Sequence, residues 1–90
     1  MAKANVDPGE LRRFAKELNH FNTEIESMVG RMRAKLRALE QKWDDQEQRK
    51  FSAEFDVSIK SLIRFLELSK QYVPFLTQKA RHIDDYLGKH

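Results

Sequence analysis

Apolar side chains recur at alternating steps of three and four residues through both halves of this 90-residue chain. That spacing places one apolar side chain per turn on the same face of an α-helix, and no strand-type alternation competes with it. The first repeat ends at the only tryptophan, Trp43, and the second starts after a polar interval that follows it. The pattern predicts two long helices that fold back on each other near the middle of the chain.

The repeats also predict the seam of this hairpin, meaning the side chains that each helix buries against the other. The first helix contributes an apolar stripe to the seam, and the second contributes a matching one. The predicted seam residues are Leu18, Phe21, Ile25, Met32, Leu36, Leu39, Phe55, Ile59, Leu62 and Leu66. The stripes also include Leu11, Phe14 and Met28 in the first helix, and Val73, Leu76, Ala80, Ile83 and Leu87 in the second, with Ser69 as a polar member.

Helix-end signals give the expected boundaries. Asp7 can cap the free amides of a first helix, and Pro8 suits its first position. Basic residues before Trp43 and acids after it suit the end of one helix and the start of the next. We expect an arm over residues 1–6, helix one over about 7–43, a turn near 43–46 and helix two over about 47–87.

Pro74 lies inside the expected second helix. A proline there removes one backbone hydrogen bond and crowds the preceding turn. Because the apolar stripe stays in register on both sides, we expect a kink near Pro74 within one helix. A third short helix that begins after Pro74 is the alternative.

A second apolar stripe on helix two is displaced from the seam. It consists of Phe65, Leu68, Tyr72 and Phe75. One antiparallel partner helix cannot cover both stripes, and an uncovered patch of this kind usually marks an interaction site. The predicted fold is therefore all-α: a hairpin of two long antiparallel helices that dimerises to a four-helix bundle. The alternative is a third helix that folds back over the patch.

Composition gives little support to nucleic-acid binding. The net charge is +3 with a pI near 9.3, but the densest basic run spaces most of its charges two apart, which spreads them around a helix. Aromatic residues do not interleave with these charges, as single-strand binding would require. Hydrophobic residues make up 40% and charged residues 34%, which is typical of a helical bundle. We read the basic residues as a solvated helix surface.

Candidate chemistry is sparse. The chain has no cysteine, and its three histidines, His20, His82 and His90, are widely separated. There is no glycine-rich phosphate loop and no nucleophile with an identifiable base. We expect no catalytic, cofactor-binding or metal site and no small-molecule substrate. No apolar stretch is long enough to span a membrane, and the N-terminus lacks the apolar core of a signal peptide, so we expect a protein made in the cytoplasm without a cleaved export signal.

The mid-chain residues resemble those of a known family. Trp43 lies at the predicted turn, Leu39 one turn before it, Phe51 eight residues after it and Phe55 one turn further. This arrangement resembles the WXG (Trp-X-Gly) family of small early-secreted-antigen-like substrates of bacterial type VII secretion. Asp45 stands where the motif has glycine, so the turn motif here is Trp43, Asp45 and Phe51. The resemblance covers nearly the whole chain.

The resemblance implies a helical hairpin that pairs with itself or with a sister hairpin and that type VII machinery exports in the folded state. The family's C-terminal export signal places an acid four residues after a tyrosine. Here Leu76 follows Tyr72 at that spacing, and His90 follows Tyr86. The favoured function is a secreted effector, carrier or chaperone-like partner. A cytoplasmic coiled-coil adaptor and, less favoured, a basic nucleic-acid-associated protein are the alternatives.

Overall fold

Two antiparallel helices form the protein in a computed structural model that describes residues 5–88. Helix α1 spans Pro8–Glu40 and helix α2 spans Gln46–Tyr86, with a short turn between them. The hairpin measures 64 × 26 × 14 Å, which is one layer of two helices lying side by side. The all-α hairpin predicted from the apolar repeats is confirmed. The structure ends α1 at Glu40, so the turn starts earlier than the expected residue 43.

Helix α1 begins differently from the expected side-chain cap. Asp7 has the extended backbone of a capping residue, but its carboxylate makes no capping hydrogen bond. Instead, its backbone carbonyl accepts from the amide of Glu10 at 2.9 Å and from that of Leu11 at 3.2 Å. The Glu10 amide is the donor that a side-chain cap would bind, so the tight first turn has already satisfied it.

Helix α2 is continuous through Pro74 and runs for 41 residues. Pro74 leaves the backbone carbonyl of Lys70 without its helical donor, and both residues are exposed. Within residues 5–88 no third helix begins there, and nothing folds back over the second apolar stripe. That stripe therefore stays uncovered in a single chain.

Small and polar side chains form much of the seam. On α1 the buried positions repeat every seven residues, and on α2 they include two serines and an alanine. The buried residues are Pro8, Ala15, Asn22, Val29 and Leu36 on α1 and Gln48, Ser52, Leu66, Ser69 and Ala80 on α2. Side chains of this size allow two helices to pack closely along most of their length.

The α1 side of the seam differs from the sequence expectation at three residues. Phe21, Met32 and Leu39 are 45%, 51% and 51% exposed. Steps of three and four fit two neighbouring phases of a helix, and the structure selects the phase centred on Asn22 and Leu36. Of the other expected residues, Leu36 and Leu66 are buried, while Leu18, Ile25, Phe55, Ile59 and Leu62 are half-buried.

A buried polar pair connects the middles of the two helices. The Ser69 hydroxyl donates to Asn22 Oδ1 at 2.7 Å, and both residues are almost inaccessible to solvent. The amide nitrogen of Asn22 has no hydrogen-bond partner. A buried polar contact of this kind penalises any shifted alignment that would separate its members, so it favours one register between the helices.

Candidate protein-interaction surface

Aromatic side chains close the turn end of the hairpin. Trp43 is half-buried and packs on Phe51, with ring centroids 6.1 Å apart, and Phe51 packs on Phe55 at 5.8 Å. Tilted pairs at these distances are favourable aromatic contacts. Trp43 thus connects the end of α1 to the first two turns of α2. All three residues belong to the motif on which the family resemblance was based.

Asp45 occupies the glycine position of that motif and acts as the cap of α2. Its carboxylate accepts from the backbone amide of Gln48 at 2.8 Å, and its own φ is −138°, in the extended region. Among residues 5–88 only Gly88 has a positive φ. The turn therefore needs none of the backbone freedom of glycine, and a capping residue serves at this position instead.

Substitutions at Asp45 should rank by their capping ability. Asp45→Ala removes the acceptor for the Gln48 amide and should lower the free energy of unfolding by about 1 kcal/mol, whereas Asp45→Gly should cost only a few tenths. Asp45→Asn keeps an acceptor and is the matched control, with stability close to that of the wild type. Urea denaturation at one protein concentration measures the order. If Asp45→Gly were the most stable variant, the turn would require glycine after all.

A hydrogen-bond network joins the helices beneath the turn. Gln48 Nε2 donates to Ser52 Oγ at 2.7 Å, and Ser52 Oγ donates to Glu40 Oε2 at 2.6 Å. Arg37 donates both to Glu40, at 2.6 Å, and to the two carboxylate oxygens of Asp56, at 2.7 and 2.9 Å. The hydrogen bond from Ser52, supported by that from Arg37, lowers the pKa of Glu40 below its usual value. The ionised carboxylate therefore suits this position.

One broad face of the hairpin is polar and carries ion pairs between the helices. Arg12 pairs with Asp84, Glu26 with Lys70, and Arg37 with Asp56. Most of these side chains lie four residues after a seam position on their own helix, which puts them about 40° to one side of the seam at ~100° per residue. Exposed ion pairs contribute little stability, but charged side chains of this kind are typical of a face that stays in contact with solvent.

The opposite broad face is apolar. Its residues come from both helices. Each lies directly before a seam position or two residues after one. At ~100° per residue, both placements lie on the side of the seam opposite the ion pairs. We call this set the apolar face: Phe14, Phe21 and Met28 of α1 with Phe51, Phe65, Leu68, Tyr72 and Phe75 of α2. Every member is at least 43% exposed in the single chain.

The contacts between the helices show which of these residues lie at the same position along the long axis of the hairpin. The Asn22–Ser69 hydrogen bond and the Glu26–Lys70 ion pair put Phe21 about level with Tyr72 and Met28 about level with Phe65. The two helices therefore share one continuous patch. Sequence reasoning anticipated only four of its α2 members, Phe65, Leu68, Tyr72 and Phe75. It assigned Phe51 to the turn motif, and Phe14 and Met28, like Phe21, to the seam stripe.

The signal for the α1 half was present in the chain. On α1, Ala15, Asn22 and Val29 recur at intervals of seven. On α2, Ser52, Ser69 and Ala80 are likewise small or polar residues on the buried side of the helix. A phase that brings small and polar residues together from both helices sends the bulky phenylalanines outward. Of the six phenylalanines in the chain, five are exposed.

The described part of the chain offers little other chemistry. Across residues 5–88 there is no group of three or more histidine, aspartate or glutamate side chains that could hold a metal ion. Neither α1 nor α2 contains a stretch that is both long enough and apolar enough to cross a bilayer. His90, which follows Tyr86 at the spacing where the resemblance led us to look for an acid, lies outside the described residues. The surface that distinguishes this hairpin is its apolar face.

Comparison with known proteins agrees with this geometry. A crystal structure of a point mutant of the secreted protein EsxB from Bacillus anthracis superimposes with a TM-score of 0.75 at 26% identity, covering 94% of this chain and 98% of that one. Selenomethionine-labelled EsxB from the same organism gives a TM-score of 0.76 at 24% identity, covering 96% and 98%. Wild-type EsxB gives 0.75 at 26%, covering 91% and 88%. Curated protein sequences give no match.

The family comparison covers almost the entire chain. Residues 3–86 match the WXG100 family, described as proteins of 100 residues with WXG. This match includes both helices, the turn with Trp43 and Asp45, and all members of the apolar face. The resemblance inferred from the mid-chain residues is confirmed: the chain belongs to the WXG100 family.

Proposed function

We propose that this chain is a non-enzymatic substrate of a type VII secretion system that acts by binding another helical hairpin through its apolar face. Outside the cell it serves as an effector, a carrier or a chaperone-like partner of the protein that it accompanies. The proposed interface is centred on Phe65, Leu68, Tyr72 and Phe75, and it extends onto α1 through Phe14, Phe21 and Met28.

The observation that carries this proposal is the distribution of apolar side chains between the two sides of the hairpin layer. Apart from Pro8 at the start of α1, only five apolar residues are buried among residues 5–88, and two of them are alanines. The larger aromatic side chains instead lie together on one face. Removing apolar surface from water is worth roughly 25 cal/mol per Å², so a patch of several large side chains favours association strongly.

Pairing of two such layers gives a four-helix bundle. Each hairpin is 14 Å thick, so the apolar face of one can become the middle of a two-layer structure when another hairpin covers it. The polar faces, with their ion pairs, then remain outside. WXG100 membership and the likeness to secreted EsxB support this arrangement and the export.

Export is tested by expressing the tagged chain in a bacterium with a working type VII system and in a matched strain that lacks the secretion ATPase. We expect the chain in the culture medium of the first strain only, with a cytoplasmic marker protein retained in both. Retention of the chain in both cell pellets would contradict export. The chain would then act as a cytoplasmic coiled-coil adaptor that uses the same apolar face.

A further inference from the structure

A glycine lies inside α1 at a place where packing does not require one. Gly30 is exposed, and a Cβ atom added to it would meet no atom within 4 Å apart from its own stretch of helix. Glycine weakens a helix interior relative to alanine, because it has more backbone freedom to lose on folding. The hairpin would therefore be more stable with alanine here. What glycine provides instead is space on the broad face that carries the ion pairs.

That space belongs to a groove between the two helices. The groove holds about 230 Å3, several times the ~30 Å3 that one water molecule occupies. Buried Val29 and Leu66 and half-buried Ile63 form its apolar floor, and Gly30 forms part of its α1 side. An apolar side chain seated there would displace water from this floor, which is favourable. The missing side chain of Gly30 is what opens the groove to such a group.

Two cations without partners lie at the end of the groove nearer the turn. Arg33 lines the groove one turn after Gly30, and Lys60 lies one turn before Ile63 on the same side of α2. Within residues 5–88 neither of them forms an ion pair. A carboxylate brought to this end of the groove would meet both, and its charge-assisted hydrogen bonds would fix the position of the group that carries it.

An acid lines the same groove nearer the open end of the hairpin, which is the end opposite the turn. The Glu26–Lys70 ion pair aligns the helices so that Glu67 lies about 6 Å from Arg33 along the axis at ~1.5 Å per residue. Glu67 and Arg33 do not pair with each other in the structure. A polyanion such as a nucleic acid would satisfy Arg33 and be repelled by Glu67. A ligand with an acid at one end and a base at the other would satisfy both.

We infer that this groove docks an α-helical segment of a partner protein, which seats one large apolar side chain beside Gly30 and places an acid, one turn away, on Arg33 and Lys60. A helix fits because Gly30 and Arg33 are themselves one helical turn apart, so a helix lying along the groove repeats their spacing. The groove lies on the broad face opposite the apolar face, and it stays open when the apolar face is covered. The inference therefore goes beyond the proposed function and does not depend on it.

A synthetic peptide tests the chemistry of the occupant. The probe is a short helical peptide with a central leucine, glutamates three and four residues after it and a lysine four residues before it. Titrated into the full chain, it should shift the backbone amide signals of Gly30, Arg33 and Ile63 in nitrogen-15 NMR spectra. Peptides with alanine for the leucine, or glutamine for the glutamates, should bind at least about tenfold more weakly. Equal binding of the three peptides would overturn the inference, as would tighter binding of a short oligothymidine at the same amides.

Variants of the chain test the site itself. Gly30→Leu fills the groove without a clash, so it should keep the helix content and weaken binding of the probe peptide at least about tenfold. Asn19→Leu adds the same side chain to the same broad face, about 16 Å toward the open end at ~1.5 Å per residue, and should bind within a factor of about three of the wild type. Wild-type affinity in Gly30→Leu, or equal weakening by Asn19→Leu, would contradict the site.

Charge reversal separates a specific contact from net charge. Arg33→Glu should weaken binding of the probe peptide at least about tenfold at low salt. Arg31→Glu makes the same change of charge at an exposed residue two positions after the seam residue Val29, which places it outside the groove. It should stay within a factor of about three of the wild type. Equal effects of the two reversals would show general charge attraction and overturn the assignment of Arg33.

Discussion

Combining Phe65→Asp with Phe75→Asp should weaken self-association by at least about 100-fold. Both rings are exposed in the single hairpin, at 43% and 67%, so the variant should keep its helical fold. In the dimer, each substitution would remove the burial of an aromatic ring, which is worth roughly 1.5–3 kcal/mol. Each would also place a carboxylate in an apolar interface without a counter-ion. Sedimentation equilibrium measures the dissociation constant, and circular dichroism checks the helix content.

Val57→Asp is the matched control for that experiment. Val57 is also an exposed apolar residue of α2, at 65%. It lies five residues after the seam position Ser52, so it belongs neither to the seam nor to the apolar face. We expect its dissociation constant to stay within a factor of about three of the wild type, as for a surface substitution. Equal weakening by the control and the double variant would contradict the proposed interface.

The second large effect concerns the buried pair at the middle of the seam. Ser69→Ala should lower the free energy of unfolding by about 1–3 kcal/mol, because Asn22 then keeps both polar atoms of its amide buried without a partner. Asn22 Nδ2 already lacks one in the wild type. Replacing both residues, as Asn22→Val with Ser69→Ala, removes the polar groups together and should restore or exceed the wild-type stability. Urea denaturation at one protein concentration measures all three proteins.

Ser27→Ala serves as the control for the loss of a helix serine, since Ser27 is exposed and lies five residues after the seam position Asn22, away from the apolar face. It should change the free energy of unfolding by no more than about 0.5 kcal/mol. If Ser69→Ala were as mild as this control, the Asn22–Ser69 hydrogen bond would contribute nothing to stability. If the double variant were less stable than Ser69→Ala alone, the polar pair would be required for packing and not only for register.

The hairpin itself could be predicted from the sequence because the evidence is local. Apolar periodicity specified two helices, and the polar interval after Trp43 specified a reversal. The capping role of Asp45 could be recognised only in part, since an aspartate before Gln46 is a helix-start signal while the family motif suggested glycine. The extended φ of Asp45 in the structure removes this conflict.

The phase of α1 could not be fixed from the sequence in the same way. Leu18 and Ile25 satisfy a stripe that includes Phe21 and equally one that includes Asn22, because both are separated from them by three or four residues. Hydrophobicity alone favours the phenylalanine. The structure buries Asn22 because Ser69 on α2 supplies a hydrogen bond at the same level, and such pairing between distant residues is a property of the folded hairpin.

This choice of phase has a consequence for function. Had Phe14, Phe21 and Met28 filled the seam, α1 would present only a polar outer surface and the apolar patch would be confined to α2. With the small and polar residues inside, both helices expose aromatic or sulfur-containing side chains on one face. The sequence thus places its larger apolar side chains where a second molecule, not the chain itself, can bury them.

Sedimentation equilibrium of the wild-type chain, from low to high micromolar concentration, tests this claim most directly. One chain has a mass of 10.7 kDa. We predict that the measured mass approaches twice that value as the concentration rises, because the apolar face of each hairpin is then covered by another. A mass that stays at the monomer value throughout the range, with full helix content, would show that the exposed face does not drive self-association and would contradict the account.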